Sequence, residues 1–323
     1  MHAILQELVY DSPVGGAVWP FDREYIRPPH FHGQVELLLI RSGAATIHVG
    51  PRAERLHTGQ VCWILPCLPH VMSDFSPDFD MWVIEIEAPI VGACWRALER
   101  GTGATTFEAF EGVALLGERL AGQLVVDVPR DEAQRMSELA LRVWSAPSSA
   151  GVGGMLRGLC ELALRATLPG LGPRRASSLT ELASCLLLAS PLLDRRGLAA
   201  NLGVSEWLLS RSFGRDLGVS FVEQRARTRL AHFLALVQGG NRNLLHAALA
   251  AGFGSYSQFH RVFTRISGVG PRDYFTGGRH RLQLFVASDR HRPDGAHLRT
   301  LPDGQRHRPR LDQHPSAPQP AAR

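Results

Sequence analysis

The 323-residue chain contains no lysine; all 35 of its Lys+Arg positions are arginine. A compositional bias explains this more simply than a function does. No apolar run is long enough to cross a bilayer. The longest candidate, 185–193, is short and holds Pro191. No basic-then-apolar stretch opens the chain, so a cytoplasmic protein without membrane association is expected. Five cysteines (Cys62, Cys67, Cys94, Cys160, Cys185) are scattered, odd in number and free of any C-x-x-C pair. That excludes a disulfide framework and a zinc ribbon. Cys62 and Cys67 are close enough for a redox pair, although two small buried residues are the simpler reading.

What is present divides the chain. Its length suits two domains, each with its own core. Residues 1–175 carry a charge balance of −5 (15 Arg, 20 acids), residues 176–278 carry +5 (11 Arg, 6 acids) and residues 279–323 carry +5 (9 Arg, 4 acids). A basic half behind an acidic one points to a polyanionic partner for the back half. Over residues 30–90, "VELLLI", "AATIHV", "GQVCWIL" and "MWVIEIE" are short, branched and separated by breakers, which predicts an antiparallel barrel or sandwich. From 90 to about 168 the pattern turns helical. In 131–144, Met136, Leu139, Ala140 and Val143 share one helix face. "LPGLGPRRASS" reads as a linker. The expected division is therefore 1–89 sensor strands, 90–168 helices, 169–179 linker, 180–278 an all-α domain and 279–323 a disordered basic tail, in which "RLQLFVAS" could add one element. The fold class is α+β multidomain.

The all-α domain repeats itself. Leu209-Ser-Arg211-Ser-Phe213 is echoed fifty residues later by Phe259-His-Arg261-Val-Phe263, and each is followed by Gly-Val. Ala199 and Gly203 precede the first copy; Ala248 and Gly252 precede the second. A short helix, a Gly turn and a second helix make a helix-turn-helix. Asp194, Ser205 and Ser255 are predicted caps, and Ser220 with Glu223 a capping box ahead of a helix running to about Val237. In each second helix the residues four apart face the core and the Arg between them faces away, where it can bind guanine or phosphate. A connecting helix of about 25 Å could hold both units roughly one DNA turn apart.

These residues, with Phe221, Arg229, Phe253, Gly268 and Pro271, resemble the DNA-binding domain of the AraC/XylS family of bacterial transcription regulators. The resemblance covers about 180–275. It implies double-stranded DNA as partner, read by Trp207, Ser210 and Arg211 from the first unit and by Tyr256, Ser257, Gln258, His260 and Arg261 from the second. It also implies a homodimer paired through the 90–168 helices, a small-molecule effector, contact with RNA polymerase, no cofactor and no catalysis. The chain departs from the family pattern at Arg195, Ser212, Arg225, Phe233 and Ala247, and Glu206 lies beside the first reading face.

"HFHGQVELLLIRSG" sets His30, His32 and Glu36 on one strand face, and His70 follows later. The pattern resembles the two motifs of the cupin barrel. Three readings stay open. The four residues are polar groups satisfied inside a barrel mouth, or they line an effector pocket, or they hold a divalent metal. The expected site holds no metal. A metal-dependent cupin enzyme and a protein-interaction module with a degenerate DNA domain are the alternative functions.

Overall fold

The computed structural model describes residues 4–5, 15–22, 28–98, 110–146, 151–171, 178–238 and 240–276. The expected tail, and most of the expected linker, lie outside the described residues.

The first domain is built on two five-stranded sheets. Its strands are β1 (Ile4–Leu5), β2 (Gly16–Pro20), β3 (His30–Phe31), β4 (Val35–Ser42), β5 (Ala44–Val49), β6 (Arg52–His57), β7 (Gln60–Ile64), β8 (His70–Ser73), β9 (Asp80–Ile86) and β10 (Val125–Asp127). One sheet has the order β1-β3-β8-β5-β6 and the other β10-β7-β4-β9-β2. All pairs are antiparallel except β1 with β3. The sheets face each other without closing, so the sandwich form of the expected barrel-or-sandwich is adopted.

Strand β4 shows why "VELLLI" does not alternate. Leu38 and Ile40 pack between the sheets, with Ile47 and Leu56. Val35, Leu37 and Leu39 face the other way, into the core formed with the helices. A strand covered on both faces is apolar throughout. That second face is closed by α1 (Ala88–Leu98), α2 (Glu111–Leu120), α3 (Arg130–Ser145) and α4 (Val152–Gly170). On α3, Met136, Ala140 and Val143 are buried as the spacing predicts, with Leu139 partly so. Buried indoles are anchored to the helices: Trp63 Nε1 donates to Thr167 Oγ1 at 2.9 Å and Trp82 Nε1 to Ser137 Oγ at 2.9 Å. The stretch expected to be helical also contains β10, which extends the sheet by pairing with β7.

The second domain comprises α5 (Leu179–Ala189), α6 (Arg195–Asn201), α7 (Glu206–Leu217), α8 (Phe221–Gln238), α9 (Leu244–Ala250), α10 (Tyr256–Ser267) and α11 (Pro271–Thr276). Leu198, Leu209, Phe213 and Phe221 form the core of the first unit. Phe233, Ala248, Phe253, Phe259 and Phe263 form that of the second. Each buried Leu or Phe among them contributes roughly 1.5–3 kcal/mol. The turns inside the units use Gly203 (φ 66°) and Gly252 (φ 92°), left-handed positions that a β-carbon disfavours. At Gly252 a β-carbon would also lie 2.8 Å from the Pro191 carbonyl oxygen.

The capping box expected at α8 is only half made. Ser220 Oγ accepts from Glu223 N at 3.1 Å. The Glu223 carboxylate turns to Arg227 (3.2 Å) and to Arg265 of α10 (2.8 Å) instead. A full capping box does form at α5, between Ser178 and Glu181.

Helix α8 is buried on two faces. Leu230, Phe233 and Leu234 enter the second unit's core. Gln224, Arg227, Thr228 and Ala231 are also buried, and three neighbours show what covers this face. The Arg227 guanidinium lies over the Phe31 ring, a β-carbon at Gly33 would sit 3.2 Å from the Ala231 β-carbon, and the His232 ring lies 4.1 Å from that of Phe110. The helix joining the two units is thus docked on the first domain.

Candidate nucleic-acid interface and a buried His/Glu cluster

The two expected reading helices are built alike. Ser205 Oγ accepts from Leu208 N at 3.2 Å, and Ser255 Oγ from Gln258 N at 3.1 Å. These caps satisfy one of the amides that every helix start leaves open. Leu209 and Phe213, and Phe259 and Phe263, are fully buried. The opposite faces point outward. Trp207 is 66% exposed, and Arg211, Ser257, His260 and Arg261 are exposed. Arg211 rests over the Trp207 ring, 5.1 Å from its centroid, so the two form one cationic-aromatic surface.

The other three expected contacts are partly engaged within their own units. Ser210 Oγ donates to the Glu206 carbonyl at 2.9 Å. Gln258 Oε1 accepts from Gly254 N at 2.8 Å. Tyr256 packs against Phe259, with ring centroids 5.5 Å apart.

Two departures from the family pattern have local explanations. Arg195 does not enter the core: it is exposed, and its Nε lies 2.6 Å from Glu206 Oε2. The acid beside the first reading face is thereby paired with a cation. Ser212 is buried, and its hydroxyl donates to the Leu209 carbonyl at 2.8 Å.

In the first domain, His30, His32, Glu36 and His70 come together. All are buried, and one ligand atom from each lies within 4.8 Å of the others. His30 and His70 are directly opposite in the β3–β8 pair. Glu36 Oε2 lies 2.7 Å from His32 Nε2 and 3.1 Å from His70 Nε2. Burial pushes the Glu36 carboxyl up, but the charge and hydrogen bonds of His70 and His32 outweigh it and hold the group well below the ordinary carboxylate range. Each ring also donates outward: His30 Nδ1 to Pro28 O (2.8 Å), His32 Nδ1 to Gln34 O (3.2 Å) and His70 Nδ1 to Leu68 O (2.9 Å). An apolar cleft elsewhere, lined by Leu65, Leu120, Cys185, Leu188 and the Arg52–Glu181 ion pair (3.0 Å), includes none of them.

The Cys62–Cys67 redox pair does not form. Cys62 packs between the sheets and Cys67 in the helix-side core. Burial raises both thiols, Cys67 to about 12.

Sequence reasoning missed the docking residues Phe31, Arg227 and Ala231. A signal existed: Gln224, Arg227, Thr228 and Ala231 follow the i, i+3, i+4, i+7 spacing of a buried helix face. Its polar members disguised it.

Comparison with known proteins agrees with this two-part arrangement. An AraC-like ligand binding domain matches residues 17–141, and a helix-turn-helix domain matches residues 198–277. No curated protein matches the chain. Among solved structures, ToxT from Vibrio cholerae is 15% identical over 80% of this chain and 96% of its own, with a TM-score of 0.42. Unsaturated fatty acid-bound wild-type ToxT from Vibrio cholerae gives 15% identity, 82% and 97% coverage, and 0.42. The AraC-like transcriptional activator CuxR gives 14%, 68% and 72%, and 0.32. With a ligand-binding domain of the AraC type in front and a duplicated helix-turn-helix domain behind, the chain belongs to the AraC/XylS family of transcription regulators.

Proposed function

We propose that this regulator reads two successive major-groove segments of one duplex with α7 and α10. The observation that carries the reading is the matched outward faces, Trp207 with Arg211 and Ser257 with His260 and Arg261, on two identically capped helices. Helix α8, 18 residues long, spans about 27 Å and sets their separation. Arginine offers bidentate recognition of guanine or a charge contact to phosphate. Because the two faces differ, the site need not be palindromic.

The first domain receives the signal, and the docked α8 carries it to the reading units. The His/Glu cluster is the sensor's chemical site. The reading is of a regulator rather than an enzyme, because the two matched domains are a ligand-binding and a helix-turn-helix domain. Two chains pair through the α1–α4 helices, where Leu141 on α3 is 53% exposed. The protein acts on chromosomal DNA in the cytoplasm, and its bound position relative to RNA polymerase decides activation or repression.

Selection of bound duplexes from a random pool tests this reading. The expected result is an enriched site with two unlike blocks about 10 base pairs apart. An enriched site with one block, or no enrichment, contradicts it.

A further inference from the structure

We propose that Gln258 reads DNA with its amide hydrogens alone: the turn before α10 holds its carbonyl oxygen, so the side chain offers only donors and selects guanine. The inference rests on the regulator reading given above and deepens it at one residue.

The two units are alike up to the turn. Gly203 N donates to Ala200 O and Val204 N to Ala199 O, just as Gly252 N donates to Leu249 O and Phe253 N to Ala248 O. Gly203 thus matches Gly252, and Val204 matches Phe253. Val204 is followed directly by the cap Ser205. Phe253 is followed by Gly254 and only then by the cap Ser255. The second turn is therefore one residue longer. The added residue brings a main-chain amide that has no counterpart in the first unit. Gly254 is exposed, and its N–H donates to Gln258 Oε1 at 2.8 Å. The equivalent of Gln258 in the first unit is Leu208, since each donates its own N–H to the cap serine hydroxyl. The side chain of Leu208 has no polar atom, and the shorter turn leaves no extra amide for one to meet.

This contact fixes the orientation of the amide. A main-chain N–H can only donate, so the side-chain atom facing it is the carbonyl oxygen and not the nitrogen. The Gln258 amide nitrogen makes no hydrogen bond among the described residues and is not enclosed. Its two hydrogens are left for a partner from outside. Gln258 N also donates to Ser255 Oγ at 3.1 Å, so main chain and side chain are both tied to the turn. Arg261, three positions on, lies on the same side of the helix and is exposed.

Base chemistry then sets the preference. An unconstrained glutamine reads adenine by donating to N7 and accepting from the N6 amine together, which needs both ends of the amide at the base edge. In Gln258 the oxygen is turned back onto Gly254, and only the nitrogen end is presented. Guanine offers two acceptors side by side in the major groove, N7 and O6. Thymine offers O4 alone, beside its methyl group. Adenine sets an amine donor next to N7, and cytosine presents an amine donor. The order is guanine first and thymine second, with adenine and cytosine disfavoured. Leu208, 40% exposed at the matching place on α7, carries no hydrogen-bond preference. The guanine preference therefore belongs to the second block of the site and is one source of its asymmetry.

The test is binding-site selection with the full chain as wild type, Gln258→Glu and Gln258→Leu. Affinities are then measured on the selected duplex with each of the four base pairs at the position that responds. The wild type should favour guanine there over adenine and cytosine by at least about fivefold. Gln258→Glu keeps an oxygen for Gly254 N–H and turns the outer group from donor to acceptor. Its preference at that one position should move to cytosine, whose amine donates. Comparing bases within one variant cancels any general loss of affinity from the added charge. Gln258→Leu should flatten the preference at that position and leave the others in place. Circular dichroism should show both variants folded as the wild type is. A wild-type preference for adenine at that position would overturn the proposal, because it needs an amide free of the turn. A site with no position altered by either variant would overturn it too, while leaving the regulator reading intact. A wild type that enriches no site contradicts the regulator reading itself.

Discussion

The guanidinium carbon of Arg227 lies 4.4 Å from the ring centroid of Phe31, and both side chains are buried. A strand of the sensor and the helix between the reading units thus share one desolvated contact. Burial lowers the Arg227 pKa, and Glu223 partly compensates through its charge and hydrogen bond. The ring and the carboxylate both contact the cation.

Phe31→Ala should therefore do more than open a cavity. Truncating a buried Phe costs about 3–5 kcal/mol, and here the loss falls on the seam between domains. Calorimetry of the wild type should show one cooperative transition; the variant should show two. One transition at an unchanged midpoint contradicts the docked arrangement.

The Arg195–Glu206 pair sits beside the first reading face, and both side chains are substantially exposed. Exposed pairs add little to stability. Arg195→Ala should leave the melting temperature within a degree or two yet weaken DNA binding at low salt, because an unpaired Glu206 repels phosphate. Glu206→Gln should reverse that loss when combined with it. Salt-dependent affinity measurements on the single and double variants check both statements.

Burial pushes His232 down to about 4, with its hydrogen bond to Leu188 O only partly opposing. Its unfolded value is near 6.5. Above that pH both states are neutral and its contribution to stability is complete. As pH falls from 6.5 toward 4 the unfolded chain takes the proton first, and about 3 kcal/mol is lost. Urea unfolding across this range should show the slope, and His232→Gln should flatten it.

Phe259→Ala should destabilise the second unit by about 3–5 kcal/mol, whereas Ser255→Ala should cost about 1 kcal/mol by removing only a cap. Chemical denaturation distinguishes the two. Similar losses would mean that the cap, not the aromatic core, organises α10.

Much of this was legible in the sequence because local rules governed it. The caps Asp194, Ser205 and Ser255 all accept the expected amides. The i, i+4 core pairs of α7 and α10 are buried as their spacing required. Phe233 and Ala247, two of the departures from the family pattern, are both buried in the second unit's core. What was not legible depends on distant partners. Strand β10 is three residues whose one strand partner among the described residues is β7. Glu223 left its capping role because Arg265 lies across from it in space. Arg227 looked like one more basic residue until Phe31, nearly two hundred positions earlier, was seen to cover it. The four cluster residues were identified by pattern, but only the fold shows that they meet.

Methylation protection of the selected duplex tests the central claim most directly, comparing the wild type with Arg211→Ala and Arg261→Ala. Each variant should lose about 1–3 kcal/mol of specific affinity if its arginine reads a base. Each should also lose protection in one window only, the two windows lying about one helical turn apart in the major groove. Unchanged affinity in both variants, or loss in the same window from both, would contradict two reading helices on successive segments of one duplex.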